Sequence, residues 1–215
     1  MPTRFDASFG RNSGKQDNGE LVTQSNSRSV VLVRHGRPAK MRTSWIPGRA
    51  LGELLRAYDD IGISQETLPP PGLLRIASSC ECVVTSDLRR ARESAARLWS
   101  QREVRIDPEL REAVLPDSVG SGVPLPPQLW VVIARIGWWL DWCDSVETID
   151  ATRERASRVT DRLCALATHG SVIVVGHGMF NRFIATELLK RKWRGPRYPP
   201  RAYWTSARYD LTADG

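Results

Sequence analysis

The sequence has little that would hold the protein in a membrane or direct it out of the cell. No apolar stretch approaches the ~18 residues needed to cross a bilayer. Residues 1–27 lack the apolar core of a signal peptide, so we expect a cytoplasmic protein without a membrane partner. Cysteine is scarce, with four residues, and Cys80 and Cys82 lie too close together for an ordinary zinc site. This usage predicts reduced thiols and no metal centre.

Blocks of like charge are also missing. The formal net charge is +7, from 31 Lys and Arg against 24 Asp and Glu, and the basic residues are mostly arginines spread through the chain. Dispersed arginine favours small anionic ligands over nucleic acid, which would be expected to contact a longer basic run. Few large apolar residues occur in 1–27, so we expect a flexible tail there and a single domain over 28–215.

Two short apolar runs, each followed by histidine and glycine, stand out from the rest. The first, over 30–33, continues into Arg34 and His35, and the second, over 172–175, leads to His177 between two glycines. Runs of this kind are typical of strands buried on both faces of a parallel sheet, whose carboxyl ends open into the ligand crevice. The pattern predicts one site with two imidazoles.

Segments with helical spacing separate these strands. Predicted helices cover about 50–59, 69–78, 87–101, 129–143, 150–168 and 179–190, and further strands cover 83–86, 104–106 and 202–211. The third histidine, His169, precedes its strand and is expected in the turn that ends a helix. Alternation of this kind predicts an α/β fold, a three-layer α/β/α sandwich around a mainly parallel sheet.

Eight tryptophans are unusual for this length, and several fall in the helix predicted from residue 129. The apolar stripe of that helix, which we expect to face the core, consists of Leu129, Val132, Ile136, Trp139 and Cys143. Trp138 and Trp142 share another face. That face leaves two interpretations open: core packing, or a substrate lid or subunit contact of the kind a homodimer would use.

Four motifs in chain order are similar to those of the histidine phosphatase superfamily (phosphoglycerate mutase-like, branch 1). They are Arg34-His35-Gly36, the segment 86–95 that contains Arg90, Leu110-Arg111-Glu112, and Gly176-His177-Gly178. The resemblance implies a phosphoglycerate mutase-like fold and phosphoryl transfer from a small phosphorylated substrate. It implies no cofactor and no metal, since arginines neutralise the phosphoryl charge.

The resemblance also implies a role for each of five residues: His35 as the nucleophile that forms a phosphohistidine, Arg34, Arg90 and His177 as phosphoryl-binding donors, and Glu112 as the proton donor. Each role has an alternative. Arg89 or Arg92 could contact the anion in addition to Arg90, Ser86 could cap a helix or bind phosphate, Glu112 could be a surface carboxylate, and Arg182 could match a family position or form an ion pair.

The chain departs from two branches of the family. Residues 37–42 lack the Ser and Asn that phosphoglycerate mutases usually carry after Arg-His-Gly, and Gly178 stands where acid phosphatases and phytases have Asp. We therefore expect a metal-independent phosphatase of phosphomonoesters. The alternatives are a phosphoglycerate-mutase-type phosphotransferase, a protein phosphohistidine or phosphoserine phosphatase, and a noncatalytic anion- or nucleic-acid-binding protein.

Overall fold

A computed structural model describes residues 28–41, 43–100, 103–142 and 146–211 of the chain. The tail predicted over 1–27 lies outside the described residues, as does Cys143. The helices and strands follow in the order β1 (Ser29–Arg34), β2 (Ile46–Pro47), α1 (Leu51–Asp59), α2 (Pro71–Ser78), β3 (Cys82–Thr85), α3 (Arg89–Leu98), β4 (Val104–Ile106), β5 (Pro124–Leu125), α4 (Pro127–Trp139), α5 (Ile149–Ala167), β6 (Val172–Gly176), α6 (Gly178–Lys190), β7 (Trp193–Arg194) and β8 (Ser206–Leu211).

A six-stranded sheet in the order β4-β3-β6-β1-β8-β7 forms the centre of the fold. The first four strands are parallel, and β8 and β7 are antiparallel to their neighbours. Helices α5 and α6 pack on one face of this sheet, while α2 and α3 pack on the other. The predicted three-layer sandwich with a mainly parallel sheet is confirmed.

Strands β1 and β6 lie side by side in register at the centre of the sheet. Val30 and Leu32 point into the apolar cluster with α5 and α6, whereas Val31 and Val33 point into the cluster with α2 and α3. Because both faces are covered, every position in these strands can be apolar. The register pairs Arg34 with Gly176, so the residues that follow the two strands emerge together at the same edge.

Helix α4 presents to the core a different face from the one predicted. Its buried residues are Pro127, Trp130, Ala134, Gly137 and Trp138. The predicted core stripe is instead exposed to solvent: Leu129 by 49%, Val132 by 54%, Ile136 by 49% and Trp139 by 46%. Of the pair left open between two interpretations, Trp138 is buried and Trp142 is exposed.

Hydrogen bonding explains why this face of α4 is the buried one. The indole N–H of Trp130 donates to the carbonyl of Ile46 at 2.7 Å, and that of Trp138 donates to the carbonyl of Glu147 at 2.7 Å. A buried tryptophan needs such an acceptor for its N–H group. The helical spacing of apolar residues in the sequence could not distinguish the two faces of α4, because both faces are apolar.

Two element boundaries have local causes. Helix α3 begins later than predicted because the hydroxyl of Ser86 accepts the backbone N–H of Leu88 at 3.2 Å and holds 86–88 in a turn. The turn after α5 contains His169, as predicted, and Gly170 there has a φ of 143°. Across the described ranges, no helix has the length and apolar character needed to span a membrane.

Candidate active site

His35 and His177 meet at the edge of the sheet where β1 and β6 end. Their ring centroids are 5.1 Å apart with an interplanar angle of 61°. Both rings are buried, with 3% and 1% of the residue surface exposed. The backbone N–H of His35 donates to the carbonyl of Gly176 at 3.0 Å, which extends the β1–β6 ladder to the histidines. Two histidines that are distant in the sequence are therefore in contact in the folded chain.

The tautomer of His35 follows from its hydrogen bond. Nδ1 lies 2.8 Å from the carbonyl oxygen of Gly36. A carbonyl can only accept, so Nδ1 carries the proton and donates it. In a neutral imidazole the lone pair is then on Nε2, which leaves that atom able to act as a nucleophile.

The two imidazoles are held in the neutral form by burial and by neighbouring cations. Burial lowers the pKa of His35 to about 3, against the opposing effect of the hydrogen bond to Gly36, and Arg90 and Arg34 lower this pKa further. Burial also lowers the pKa of His177 well below its ordinary range, as do His35, Arg90 and Arg34. A charged imidazole would be costly here because water is excluded and the nearby charges are positive.

Gly36 is needed where the chain leaves β1. A Cβ atom at this position would overlap the indole ring of Trp204. The backbone N–H of Gly36 donates to the hydroxyl of Ser94 at 2.8 Å, and that hydroxyl donates to the carbonyl of Arg90 at 2.6 Å. The turn after His35 is thereby joined to the helix that carries Arg90.

Arg34 and Arg90 both act electrostatically on the two histidines, and each guanidinium group lies against a tyrosine ring. The guanidinium carbon of Arg34 lies 4.3 Å from the ring centroid of Tyr203, and that of Arg90 lies 4.6 Å from the ring of Tyr58. Arg34 also donates to the carbonyl of Arg201. Arg90 donates to the carbonyl of Tyr58 and pairs with Asp59, each at 3.1 Å.

Several donors of this cluster have no protein acceptor. Among the residues that the structure describes, buried nitrogen atoms without a hydrogen-bond partner include Nε of Arg34, Nε of Arg90 and both ring nitrogens of His177, one of which carries the proton of the neutral ring. Unpartnered buried donors are rare, and a group of them in one place points to a ligand. Two guanidinium groups and an imidazole suit a tetrahedral anion, which offers several acceptor oxygens.

Burial distinguishes Arg90 from the neighbouring arginines. Arg90 is 2% exposed, whereas Arg89 and Arg92 are exposed on the outer side of α3. Arg89 forms an ion pair with Glu93 at 2.7 Å. Arg182 is not in the histidine cluster and lies over the ring of Tyr198, with its guanidinium carbon 5.2 Å from the centroid.

Glu112 lies beside His177, at the beginning of α6. Its Oε1 accepts the backbone N–H groups of Ala113 at 3.0 Å and Phe180 at 2.8 Å, and its Oε2 accepts that of Met179 at 3.1 Å. A carboxylate oxygen has two lone pairs, so Oε1 is fully used and Oε2 keeps one free. Oε2 is therefore the atom that can exchange a proton with a ligand.

A buried ion pair that the sequence did not reveal supports the Glu112 loop. Arg155 and Glu147 are joined by two hydrogen bonds, at 2.7 and 2.9 Å, and each side chain is 13% exposed. Arg155 also donates to the carbonyls of Glu109 and Arg111, at 2.5 and 3.0 Å. The pair thus holds the backbone on the N-terminal side of Glu112.

Two tyrosines that the sequence also did not reveal lie over the arginines of this cluster, Tyr203 over Arg34 and Tyr58 over Arg90. The ring centroid of Tyr203 is 5.6 Å from that of His35. Burial, followed by the electrostatic effect of Tyr203, raises the pKa of Tyr58. Neither tyrosine belongs to a motif. Among the described residues there is also no cluster of three or more His, Cys, Asp or Glu that could bind a metal ion.

Comparison with known proteins places the fold in one family. The sequence profile of the histidine phosphatase superfamily (branch 1) matches residues 73–212. No curated protein matches the sequence.

Among solved structures, the fold is similar to that of mycobacterial hydrolase 2, with 22% identity, a TM-score of 0.55, and coverage of 88% of this chain and 84% of that one. It is also similar to a phosphoserine phosphatase from Entamoeba histolytica in complex with 3-phosphoglyceric acid, with 16% identity, a TM-score of 0.52, and coverage of 86% and 98%. A mycobacterial glucosyl-3-phosphoglycerate phosphatase shows 23% identity, a TM-score of 0.51, and coverage of 76% and 80%. The profile match, together with this fold, means that the chain belongs to branch 1 of the histidine phosphatase superfamily.

Proposed function

We propose that the protein is a metal-independent phosphatase that hydrolyses phosphomonoesters through a phosphohistidine on His35. The observation that carries the proposal is the tautomer of His35. Its Nδ1–H is committed to the carbonyl of Gly36, so the lone pair of a neutral ring is on Nε2. Membership of the superfamily and the phosphatases among its structural neighbours support the same reaction class.

In the first half-reaction, the Nε2 lone pair of His35 attacks phosphorus and the bond from phosphorus to the ester oxygen breaks. Negative charge on the phosphoryl oxygens is stabilised by Arg34, Arg90 and His177, whose unpartnered donors face no protein acceptor. The positive charge of these arginines takes the role that a metal ion has in other phosphoryl-transfer enzymes. The leaving oxygen takes a proton from Oε2 of Glu112.

In the second half-reaction, water attacks the phosphohistidine, loses a proton to Oε2 of Glu112 and releases inorganic phosphate as the N–P bond breaks. The three backbone N–H groups on Glu112 stabilise its negative charge between the two halves. One carboxyl group thereby serves both directions of proton transfer.

The test is phosphate release from p-nitrophenyl phosphate with a chelator present, combined with quench trapping of the labelled protein. We expect a phosphoryl label that is stable to alkali and labile to acid, as a phosphoramidate is. His35→Ala should abolish both the label and turnover, whereas His169→Ala, which changes an exposed histidine, should retain both. Full turnover by His35→Ala would overturn the proposal.

Two alternatives predict other results in the same assay. A phosphoglycerate-mutase-type phosphotransferase would isomerise 3-phosphoglycerate in the presence of its bisphosphate without releasing phosphate. A protein phosphohistidine or phosphoserine phosphatase would release phosphate from phosphoproteins faster than from the free phosphorylated amino acid. A phosphatase of small esters would instead release phosphate from the small substrate in each of these two assays. We further expect the natural substrate to be a cytoplasmic phosphorylated metabolite.

A further inference from the structure

Helix α4 (Pro127–Trp139) is apolar on the face that it buries and also on the face that it turns to solvent. The exposed face carries a stripe of large apolar residues whose exposed fraction is between 46% and 68%: Leu129, Val132, Ile136, Trp139 and Leu140. A helix that is hydrophobic on all sides is typically buried on all sides. Within the described ranges, the chain covers only one side of α4 and leaves this stripe open to solvent.

An aromatic contact fixes one end of the stripe. The ring of Trp139 stacks on that of Phe183 in α6, with centroids 6.2 Å apart and an interplanar angle of 14°. Phe183 is itself packed against the core cluster between the sheet and α6. Trp139 is therefore held in one orientation although nearly half of it is exposed. Because an ordered aromatic side chain loses little conformational entropy when it is covered, the stripe suits a protein partner.

The stripe is large enough for a stable protein interface. Together with Trp142, which follows α4 and is 67% exposed, its residues present roughly 700 Å² of surface, close to the ~800 Å² that one partner contributes to a standard interface. The largest apolar patch on a typical monomer is smaller, at about 300–600 Å². Spacing in the stripe alternates between three and four residues from Leu129 to Trp139, as in pairs of packed helices.

Charge indicates which partner fits. Arg135 is the single charged residue from Pro127 to Leu140, and its guanidinium carbon lies 5.0 Å from the ring centroid of the buried Trp138. Two copies of a chain with a net charge of +7 repel each other over most of their surface, but hardly along this stripe. In an interface with two-fold symmetry the same patch meets itself, so an uncharged apolar stripe is self-complementary.

Two other occupants fit less well. A helix that lies on an anionic membrane is usually bordered by Lys and Arg, whereas α4 ends beside the exposed Asp141 and carries one arginine. Segment 1–27 of the same chain contains few large apolar residues that could cover the stripe. A second copy offers the same area and the same uncharged surface.

We propose that two copies of this chain form a homodimer in which their α4 helices pack against each other along this stripe. The inference does not depend on the proposed function, because no residue of the stripe belongs to the histidine cluster. It also gives a reason for the face predicted from the sequence. The stripe from Leu129 to Trp139 is covered, but between subunits rather than within one.

Sedimentation equilibrium of the full-length protein at micromolar concentrations is the test. We expect a mass of about twice 24.1 kDa for the wild type. Ile136→Glu places an unpaired carboxylate on both sides of the contact and should raise the dissociation constant by at least about 100-fold, since a buried uncompensated charge is strongly destabilising. Leu140→Glu repeats the test at a residue that is 68% exposed in the single chain, so folding is preserved.

Leu68→Glu is the matched control. Leu68 lies in the loop before α2 and is 74% exposed, so the same substitution there should leave the dimer intact. Far-ultraviolet circular dichroism checks that each variant is folded.

A wild-type protein that is monomeric throughout would overturn the inference, and its co-sedimentation with phosphatidylcholine vesicles would then assign the stripe to a lipid surface. A dimer that persists in both Ile136→Glu and Leu140→Glu would contradict the inference as well, because the contact would lie elsewhere. Turnover of p-nitrophenyl phosphate is measured on the same samples. A dimer without turnover would count against the proposed function alone, and an active monomer against the dimer alone.

Discussion

Arg155 lies over the ring of Phe180, with its guanidinium carbon 3.9 Å from the centroid, and the backbone N–H of Phe180 donates to Glu112. The same guanidinium group is paired with Glu147 and holds two carbonyls of the loop that precedes Glu112. Arg155 thus contacts both Phe180, which donates a hydrogen bond to Glu112, and the loop that carries Glu112. We therefore expect Arg155 to position Glu112 rather than to take part in the reaction.

Replacing Arg155 should impair the proton transfer assigned to Glu112. We expect Arg155→Met to lower kcat for alkyl phosphates by about 10- to 100-fold, since small displacements of a reacting group cost this much, and to affect p-nitrophenyl phosphate much less. The single variant also leaves the mostly buried Glu147 without Arg155, at a cost in unfolding free energy of about 3–5 kcal/mol.

A double variant distinguishes stability from positioning. Adding Glu147→Gln to Arg155→Met removes the uncompensated charge, so part of the lost unfolding free energy should return in urea titrations. The slow turnover of alkyl phosphates should persist, because the loop still lacks its support. Recovery of both properties together would show that Arg155 acts only on stability.

Arg90 and Arg89 offer a matched pair of adjacent arginines. Arg90→Gln should lower kcat/KM for p-nitrophenyl phosphate by about 10²- to 10³-fold, the loss typical of one donor that stabilises developing negative charge. Arg89→Gln removes an exposed ion pair and should leave kcat/KM close to the wild-type value. Similar losses in both variants would contradict the assignment of Arg90.

Glu112→Gln tests the proton donor through the leaving group. An alkyl phosphate needs protonation of its ester oxygen, so we expect its turnover to fall by about 10²- to 10⁴-fold. Nitrophenolate leaves without a proton, so the loss with p-nitrophenyl phosphate should be small in the first half-reaction. Glu109→Gln changes another carboxylate of the same loop, which pairs with Arg158 and Arg162, and should show no dependence on the leaving group.

The buried imidazole of His35 should make the protein less stable in mild acid. Its pKa is about 3 in the folded state, against 6.5 for the ordinary side chain. As the pH falls below 6.5, the unfolded chain binds a proton that the folded protein does not, so the free energy of unfolding decreases. Between pH 6.5 and 5, a window above most carboxylate titrations, the decrease from His35 is about 1.5 kcal/mol.

Urea titrations at pH 6.5 and pH 5 measure this dependence. His35→Asn should lose less stability than the wild type over that interval, because one group with a depressed pKa has been removed. His169→Asn should follow the wild-type dependence, since that histidine is exposed. A steeper decrease in His35→Asn would contradict the neutral, buried imidazole.

The sequence predicted the central strands well because their residue pattern fits only a strand that is covered on both faces. An uninterrupted apolar run of four residues within a short strand fits where both faces are covered, and β1 and β6 satisfy this. The placement of His35, His177 and Arg90 followed from motifs attached to such elements. Their catalytic roles remain proposals.

The sequence did not predict features that depend on contacts between distant segments. In α4, nearly every residue is apolar, so periodicity chose the wrong face, and the acceptors at Ile46 and Glu147 decide which indoles are buried. The Arg155–Glu147 pair and the contacts of Tyr203 with Arg34 and of Tyr58 with Arg90 likewise require the folded chain. The composition does not indicate which arginine pairs with which carboxylate in the folded protein.

The pairing of Arg34 with Gly176 has a consequence for the tolerance of the chain to length changes. Deleting one residue from either β1 or β6 would turn the following imidazole to the opposite side of the pleat, since successive side chains alternate. Insertions between helices would leave that alignment intact. Rebuilding this scaffold for another ester should therefore vary the surrounding connections and preserve the lengths of both central segments.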